Sequence, residues 1–201
     1  NSWLFGDQYS LIGAEEDNFN KVARNLRDKV KDIDDISIED LEEDVNIEGA
    51  KRQVDLFLAS KNVSYDESNN KIYKCVIIEI KRPGISLSKK HLRQLEDYAE
   101  IISKHPSFGS SDRMRFELIL IGRKISKDDT YITRALDSLK IHQENGLVSK
   151  DNRIKSYVRD WFSILDEHEL SHSYLLDKLK PRLPDYTDVS SEQLIDILQN
   201  Q

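Results

Sequence analysis

A chain of 201 residues, 38% hydrophobic and 33% charged, is long enough for one domain with a real core plus a small helical appendage. No stretch approaches the roughly 20 apolar residues that a membrane-spanning helix needs, and no signal peptide is visible. The net charge of −7 argues against a strong nonspecific nucleic-acid binder, and the single cysteine, Cys75, excludes an internal disulfide and fits a reducing cytoplasm. A start at Asn1 rather than Met is expected of a piece cut from a longer protein.

In chain order, Phe19, Val22, Ala23, Leu26, Val30 and Ile33 form one apolar stripe, which predicts a first helix from about Glu15 to Asp32. The acidic stretch from Ile36 to Asn46 follows, with room for a strand around Leu41 to Ile47. Lys51 to Ala59 then reads as a strand whose apolar run is interrupted by Asp55. Ser60 to Lys71, rich in Asn, Ser, Asp and Glu, reads as a hairpin loop, so the strands on either side should be antiparallel neighbours.

The second of these strands, Lys74-Cys75-Val76-Ile77-Ile78-Glu79-Ile80-Lys81-Arg82-Pro83, is a β-branched run closed by turn chemistry at Pro83-Gly84. Alternation puts Cys75, Ile77, Glu79 and Lys81 on one face, with Glu79 and Lys81 roughly 7 Å apart. Taken alone, Glu79 and Lys81 read most simply as a solvated pair at a strand end. Asp55 changes that reading, because a carboxylate inside a strand needs a partner and antiparallel pairing brings it beside Glu79. Two carboxylates and a lysine converging at one point make a site for a divalent cation next to an amine. Mg²⁺ takes one or two carboxylates and keeps several waters, which suits so sparse a ligand set. The ion would polarise a phosphoryl oxygen and acidify a water, while Lys81 orients the nucleophile or stabilises developing charge.

Ser88 to Lys104 has helical spacing at Leu92, Leu95, Tyr98, Ala99 and Ile102 and sets Gln94 and Tyr98 one turn apart. A loop from His105 to Arg115 leads to a buried strand, Phe116 to Gly122, expected to lie parallel to the Glu79 strand after a helical crossover. Asp128 to Leu139 reads as a helix, and Lys140 to His142 and Arg153 to Arg159 as short strands around the Asn145-Gly146 turn. Asp160 is the expected N-cap of a long helix through Trp161 and Leu179, ended by Pro181 and Pro184, and the tail from Asp188 to Gln201 holds one short helix near Ser190-Ser191. The fold class is α/β, with residues 1–150 as the core and 151–201 as a strand and helical extension. Lys51, Arg52, Lys81, Arg82, Lys89, Lys90 and Arg93 gather near the site, as a solvated face or as phosphate contacts.

Asp55 followed by Glu79-Ile80-Lys81 resembles the core of the PD-(D/E)XK nuclease superfamily, with Val54 in the place of the usual proline. Gln94-x-x-x-Tyr98 resembles the Q-x-x-x-Y motif of its RecB-like branch. With Trp3-Leu4-Phe5-Gly6, Arg52-Gln53-Val54-Asp55-Leu56 and Val158-Arg159-Asp160-Trp161, the chain from Trp3 to Leu179 is similar to a nuclease module at the C-terminus of bacterial GHKL-type ATPases, related to modules of Shedu-type antiphage defence proteins. The resemblance implies a restriction-endonuclease-like core, a central mixed sheet flanked by helices, and hydrolysis of DNA phosphodiester bonds with Mg²⁺ or Mn²⁺. It implies Asp55, Glu79 and the Ile80 carbonyl as metal ligands, and Lys81 and Gln94 in catalysis. Tyr98, Arg52, Arg82, Lys89, Lys90 and Arg93 would meet substrate. An acid on the first helix often completes the metal shell in that superfamily. Spacing favours Glu15 and the resemblance favours Glu16, and both also fit ordinary first-turn acids. The expected partners are DNA, an ATPase or other regulatory domain of the same longer chain, and a second copy in a homo-oligomer.

Two other readings compete. His168-Glu169-Leu170-Ser171-His172 matches the H-E-x-x-H signature of zinc peptidases, but no third histidine follows at the metzincin spacing and Glu192 lies beyond two prolines. The histidines also share the spacing of Trp161, Leu165, Leu175 and Leu179, which fits packing at a helical interface. The other reading is a degenerate nuclease fold kept for binding nucleic acid or for oligomerisation. Against it stand Asp55, Glu79 and Lys81, all present. There is no P-loop, no G-x-G-x-x-G, no G-x-S-x-G and no cysteine pair for zinc.

Overall fold

The computed structural model describes residues 8–29, 47–109, 112–126 and 128–179. Its order is β1 (Tyr9–Ala14), α1 (Phe19–Lys29), β2 (Leu56–Ser60), β3 (Ser64–Tyr65), β4 (Lys71–Ile80), β5 (Ser86–Leu87), α2 (Lys89–Lys104), α3 (Pro106–Gly109), β6 (Met114–Gly122), β7 (Lys124–Ile125), α4 (Thr130–Leu139), β8 (Leu147–Lys150), β9 (Ile154–Asp160) and α5 (Trp161–Leu179). The chain divides into two compact units, Asn1–Ile164 and Leu165–Gln201. The first unit runs past residue 150 because β9 is an interior strand of its sheet. Of the second, the described part is the helical stretch to Leu179.

The sheet follows the order β1-β2-β4-β6-β9-β8, with β3 pairing the start of β4. β1, β2 and β4 are mutually antiparallel, β4, β6 and β9 run parallel, and β8 returns antiparallel on β9. Its most buried strand is β4, whose Cys75, Val76, Ile77 and Ile78 are all fully buried. Such a run is what a strand covered on both faces requires. On one face Phe57, Cys75, Ile77, Phe116, Leu118 and Leu120 meet Phe19, Val22 and Leu26 of α1, Leu95, Tyr98 and Ile102 of α2, and Ile132 of α4. On the other, Val76, Ile78 and Ile121 meet Trp161 and Ile164 at the start of α5. The molecule is thus α/β, a central mixed sheet flanked by helices, and no described helix is long and apolar enough to cross a membrane.

Several expected elements fall differently. Glu15 and Glu16 lie in a turn, not on the first helix, which begins at Phe19. The turn is closed by Asp17, whose N–H donates to the Ala14 carbonyl at 2.6 Å and whose carboxylate accepts from the Ala14 N–H at 3.2 Å. Before it runs β1, an edge strand the sequence pattern conceals. A register shift between Leu11 and Gly13 breaks its alternation, and at Gly13 a Cβ would come within 2.7 Å of Val22, so β1 packs tightly on α1 only through a glycine. The first motif strand is shorter than residues 51–59, because Gln53 and Val54 bond instead to Asn18 and Asp17 beside the turn. The loop after α2 contains α3, and Lys140 to His142 form a 3-10 turn, the strand before β9 being Leu147–Lys150. The strand foreseen near Leu41, the Trp3 to Gly6 motif, Pro181, Pro184 and the tail lie outside the described residues.

Candidate active site

The register of β2 against β4 pairs Leu56 with Ile78, so the next step pairs Asp55 with Glu79. Residues opposite one another on antiparallel strands share a face. That face is the one under α2, and Glu79 is only 4% exposed. Asp55 Oδ2 accepts the backbone N–H of Ile80 at 2.6 Å, which holds the carboxylate at the tip of β4. In an extended chain the N–H and C=O of a residue point to the same side, so the Ile80 carbonyl is directed toward Asp55 as well.

Two side chains close on Glu79. Lys81 Nζ donates to its Oε1 at 2.5 Å, and the Tyr98 hydroxyl donates to its Oε2 at 2.7 Å. Gln94 ties these together, its Oε1 accepting from Lys81 Nζ at 2.7 Å and its Nε2 donating to the Tyr98 oxygen at 3.2 Å. The Gln53 carbonyl, 3.0 Å from the Tyr98 oxygen, competes for the one phenolic proton. Gln94 and Tyr98 reach the cluster from α2, which starts at Ser88 and buries Leu92, Leu95, Tyr98, Ile101 and Ile102. The i, i+4 spacing of Gln94 and Tyr98 is what sets both over the end of β4.

Electrostatically, the site carries more negative charge than its one lysine offsets. Burial raises the Asp55 pKa above the usual carboxylate value, the Ile80 N–H lowers it, and the charges of Glu79 and Glu15 add to the rise while Lys81 opposes it. Glu15 therefore acts on Asp55 from the turn after β1, although its side chain is exposed, as is that of Glu16. Burial first, and then the bond to Glu79, drives the Tyr98 phenol far above its ordinary value, so it remains a donor.

The residues fit a hard divalent cation in donor chemistry: two carboxylates and a carbonyl, all oxygen, with one carboxylate destabilised in its charged form by burial first and then by its neighbour. Among the described residues no group of three or more His, Cys, Asp or Glu side chains is gathered for a metal ion, so waters would have to fill the remaining positions.

The basic residues divide. Arg52 pairs with Asp97 of α2. The Lys89 ammonium lies 4.6 Å from the Tyr131 ring centroid, and its backbone N–H donates to Asp129. Arg82, Lys90 and Arg93 are exposed. Arg123 and Lys124, which the sequence did not mark, join the same edge because β7 pairs with β5 and the Arg123 N–H donates to the Ile85 carbonyl at 3.2 Å. A second omission is His91, on the face of α2 that carries Gln94. In the His168 segment Glu169 and Leu170 are exposed, and the His172 side chain lies outside the described residues.

No family model, curated protein or solved structure matches the chain.

Proposed function

We propose that the chain is a metal-dependent nuclease domain that hydrolyses DNA phosphodiester bonds on a restriction-endonuclease-like core. The observation that carries the reading is the meeting of Asp55 and Glu79 from adjacent antiparallel segments with Lys81 bonded to Glu79, at the end of β4. Asp55, Glu79 and the Ile80 carbonyl would hold Mg²⁺ or Mn²⁺, with Glu15 the nearer of the two turn acids in its electrostatic effect. When bound, the ion supplies Lewis acidity toward a phosphoryl oxygen and a water.

The chain's own groups do the rest. Lys81, held by Glu79 and Gln94, presents its ammonium to the attacking water or to the charge that builds on the phosphoryl oxygens. Gln94 fixes that lysine, and Tyr98 fixes the second oxygen of Glu79, so little reorganisation is left for the reaction. Arg82, Lys90, Arg93, Arg123 and Lys124 supply positive charge for the flanking phosphates. The resemblance to modules of GHKL-type ATPases supports an effector role within a longer bacterial chain, in defence against foreign DNA, with an ATPase or other regulatory domain as its partner.

Incubation with supercoiled plasmid, linear duplex and single-stranded DNA, each with Mg²⁺, Mn²⁺ or EDTA, tests the reading and reports the substrate form. Cutting that needs the metal is expected. A domain that binds DNA but cuts none of the three with either ion would instead be a binding module.

A further inference from the structure

We infer that His91 is a further substrate-contacting residue, its imidazole Nε2–H serving as a neutral hydrogen-bond donor to a phosphate oxygen of nucleic acid entering the Asp55, Glu79 and Lys81 cluster. The inference rests on the nuclease reading. Its physical basis is how α2 begins. Ser88 is the N-cap, its backbone N–H donates to His91 Nδ1 at 3.1 Å, and its hydroxyl lies 3.2 Å from the same nitrogen. The third position after an N-cap ordinarily carries Glu or Gln, whose side-chain oxygen closes this box. Here a ring nitrogen closes it.

That choice fixes the tautomer. A neutral imidazole whose Nδ1 accepts must carry its proton on Nε2, on the other side of the ring. Nε2 has no hydrogen-bond partner among the described residues. His91, Gln94 and Tyr98 stand at i, i+3 and i+7, one face of the helix. Burial falls along that row, from fully buried Tyr98 to partly exposed Gln94 and His91. Since Gln94 accepts from Lys81 Nζ, His91 is the next step outward from the cluster. Burial, Lys81 and Lys90 hold its pKa below the ordinary value against the pull of Glu79, which agrees with a neutral ring. A glutamate would cap the helix equally well, but it would put a negative charge where a phosphate has to pass. Histidine caps and presents a donor.

Three variants separate the cap from the donor. His91→Gln keeps both, His91→Glu keeps the cap alone, and His91→Ala removes both. Each is melted thermally, titrated with an end-labelled DNA oligonucleotide in Ca²⁺, and assayed for cutting of that oligonucleotide in Mg²⁺ and Mn²⁺. His91→Glu is expected to melt with the wild type yet lose about a hundredfold in kcat/KM, the usual scale for one donor at a reacting centre, whereas His91→Gln recovers to within about fivefold. His91→Ala should lose both stability and cutting. Wild-type cutting matched by His91→Glu, or a His91→Gln as impaired as His91→Glu at unchanged melting temperature, overturns the donor role and leaves the nuclease reading standing. A wild type that neither binds nor cuts the oligonucleotide overturns both.

Discussion

Asp55 is held where its charge is unwelcome. Burial and Glu79 raise its pKa, so its charged form is less stable in the folded protein than in the unfolded chain. A carboxyl with a raised folded pKa favours folding below its unfolded pKa and loses that contribution as pH rises through the folded value. Above that folded value the ionised Asp55 therefore opposes folding of the metal-free domain. Asp55→Asn, which still accepts the Ile80 N–H, is expected to raise the Tm of metal-free protein while abolishing cutting. A lower Tm would mean that the carboxylate is structural. Tyr98 is the opposite case. Tyr98→Phe leaves a buried Glu79 oxygen without its donor, so a loss of about 1–3 kcal/mol is expected in denaturant unfolding, together with slower cutting. Strand spacing and pairing brought Asp55, Glu79 and Lys81 together, and helical spacing set Gln94 and Tyr98 on one face, but that this face lies beside Glu79 came from the resemblance and not from periodicity. His91 was not legible, because Ser88-x-x-His91 lacks the Glu or Gln that marks a capping box.

Elements were legible where periodicity was unbroken. β4, α2 and β6 fall close to their expected spans, and so does the parallel pairing of β4 with β6. β1 was missed because a register shift and Gly13 interrupt its alternation, and α1 starts late because Asp17 closes a turn that helical spacing does not register. Where α2 ends, His105 ties it to α1: Nδ1 accepts from the Ser107 N–H at 3.2 Å, so Nε2–H donates to Asn20 Oδ1, 3.1 Å away. Burial pushes the His105 pKa down to about 4. A depressed folded pKa gives stability that is present above the unfolded value near 6.5 and lost as pH falls toward about 4. Unfolding free energy should therefore drop between pH 6.5 and 4, by about 3 kcal/mol at most from this group. In His105→Gln that acid limb should flatten, as urea titrations across the range would reveal. An equally steep limb in the variant would place the acid sensitivity elsewhere.

At the scale of the molecule, a chain of net charge −7 would have to grip DNA locally if the proposed function holds. Among the exposed basic residues, Arg82, Lys90, Arg93, Arg123 and Lys124 are the ones proposed for the flanking phosphates. If each meets one phosphate, the logarithm of the duplex binding constant falls against the logarithm of salt with a slope of no more than about 5 in magnitude. Charge reversal at Arg123 and Lys124 should reduce that slope by about 2. An unchanged slope would remove those two residues from the DNA path.

Asp55, Glu79 and Lys81 are proposed to form one metal-dependent hydrolytic site. The most direct test is the rate of plasmid cutting by the wild type, Asp55→Ala and Lys81→Ala, each shown to be folded, in Mg²⁺, Mn²⁺ and EDTA. Wild-type cutting that EDTA abolishes is expected, falling by at least about a hundredfold in both variants. Cutting that survives in either folded variant, or that persists in EDTA, would contradict that proposal.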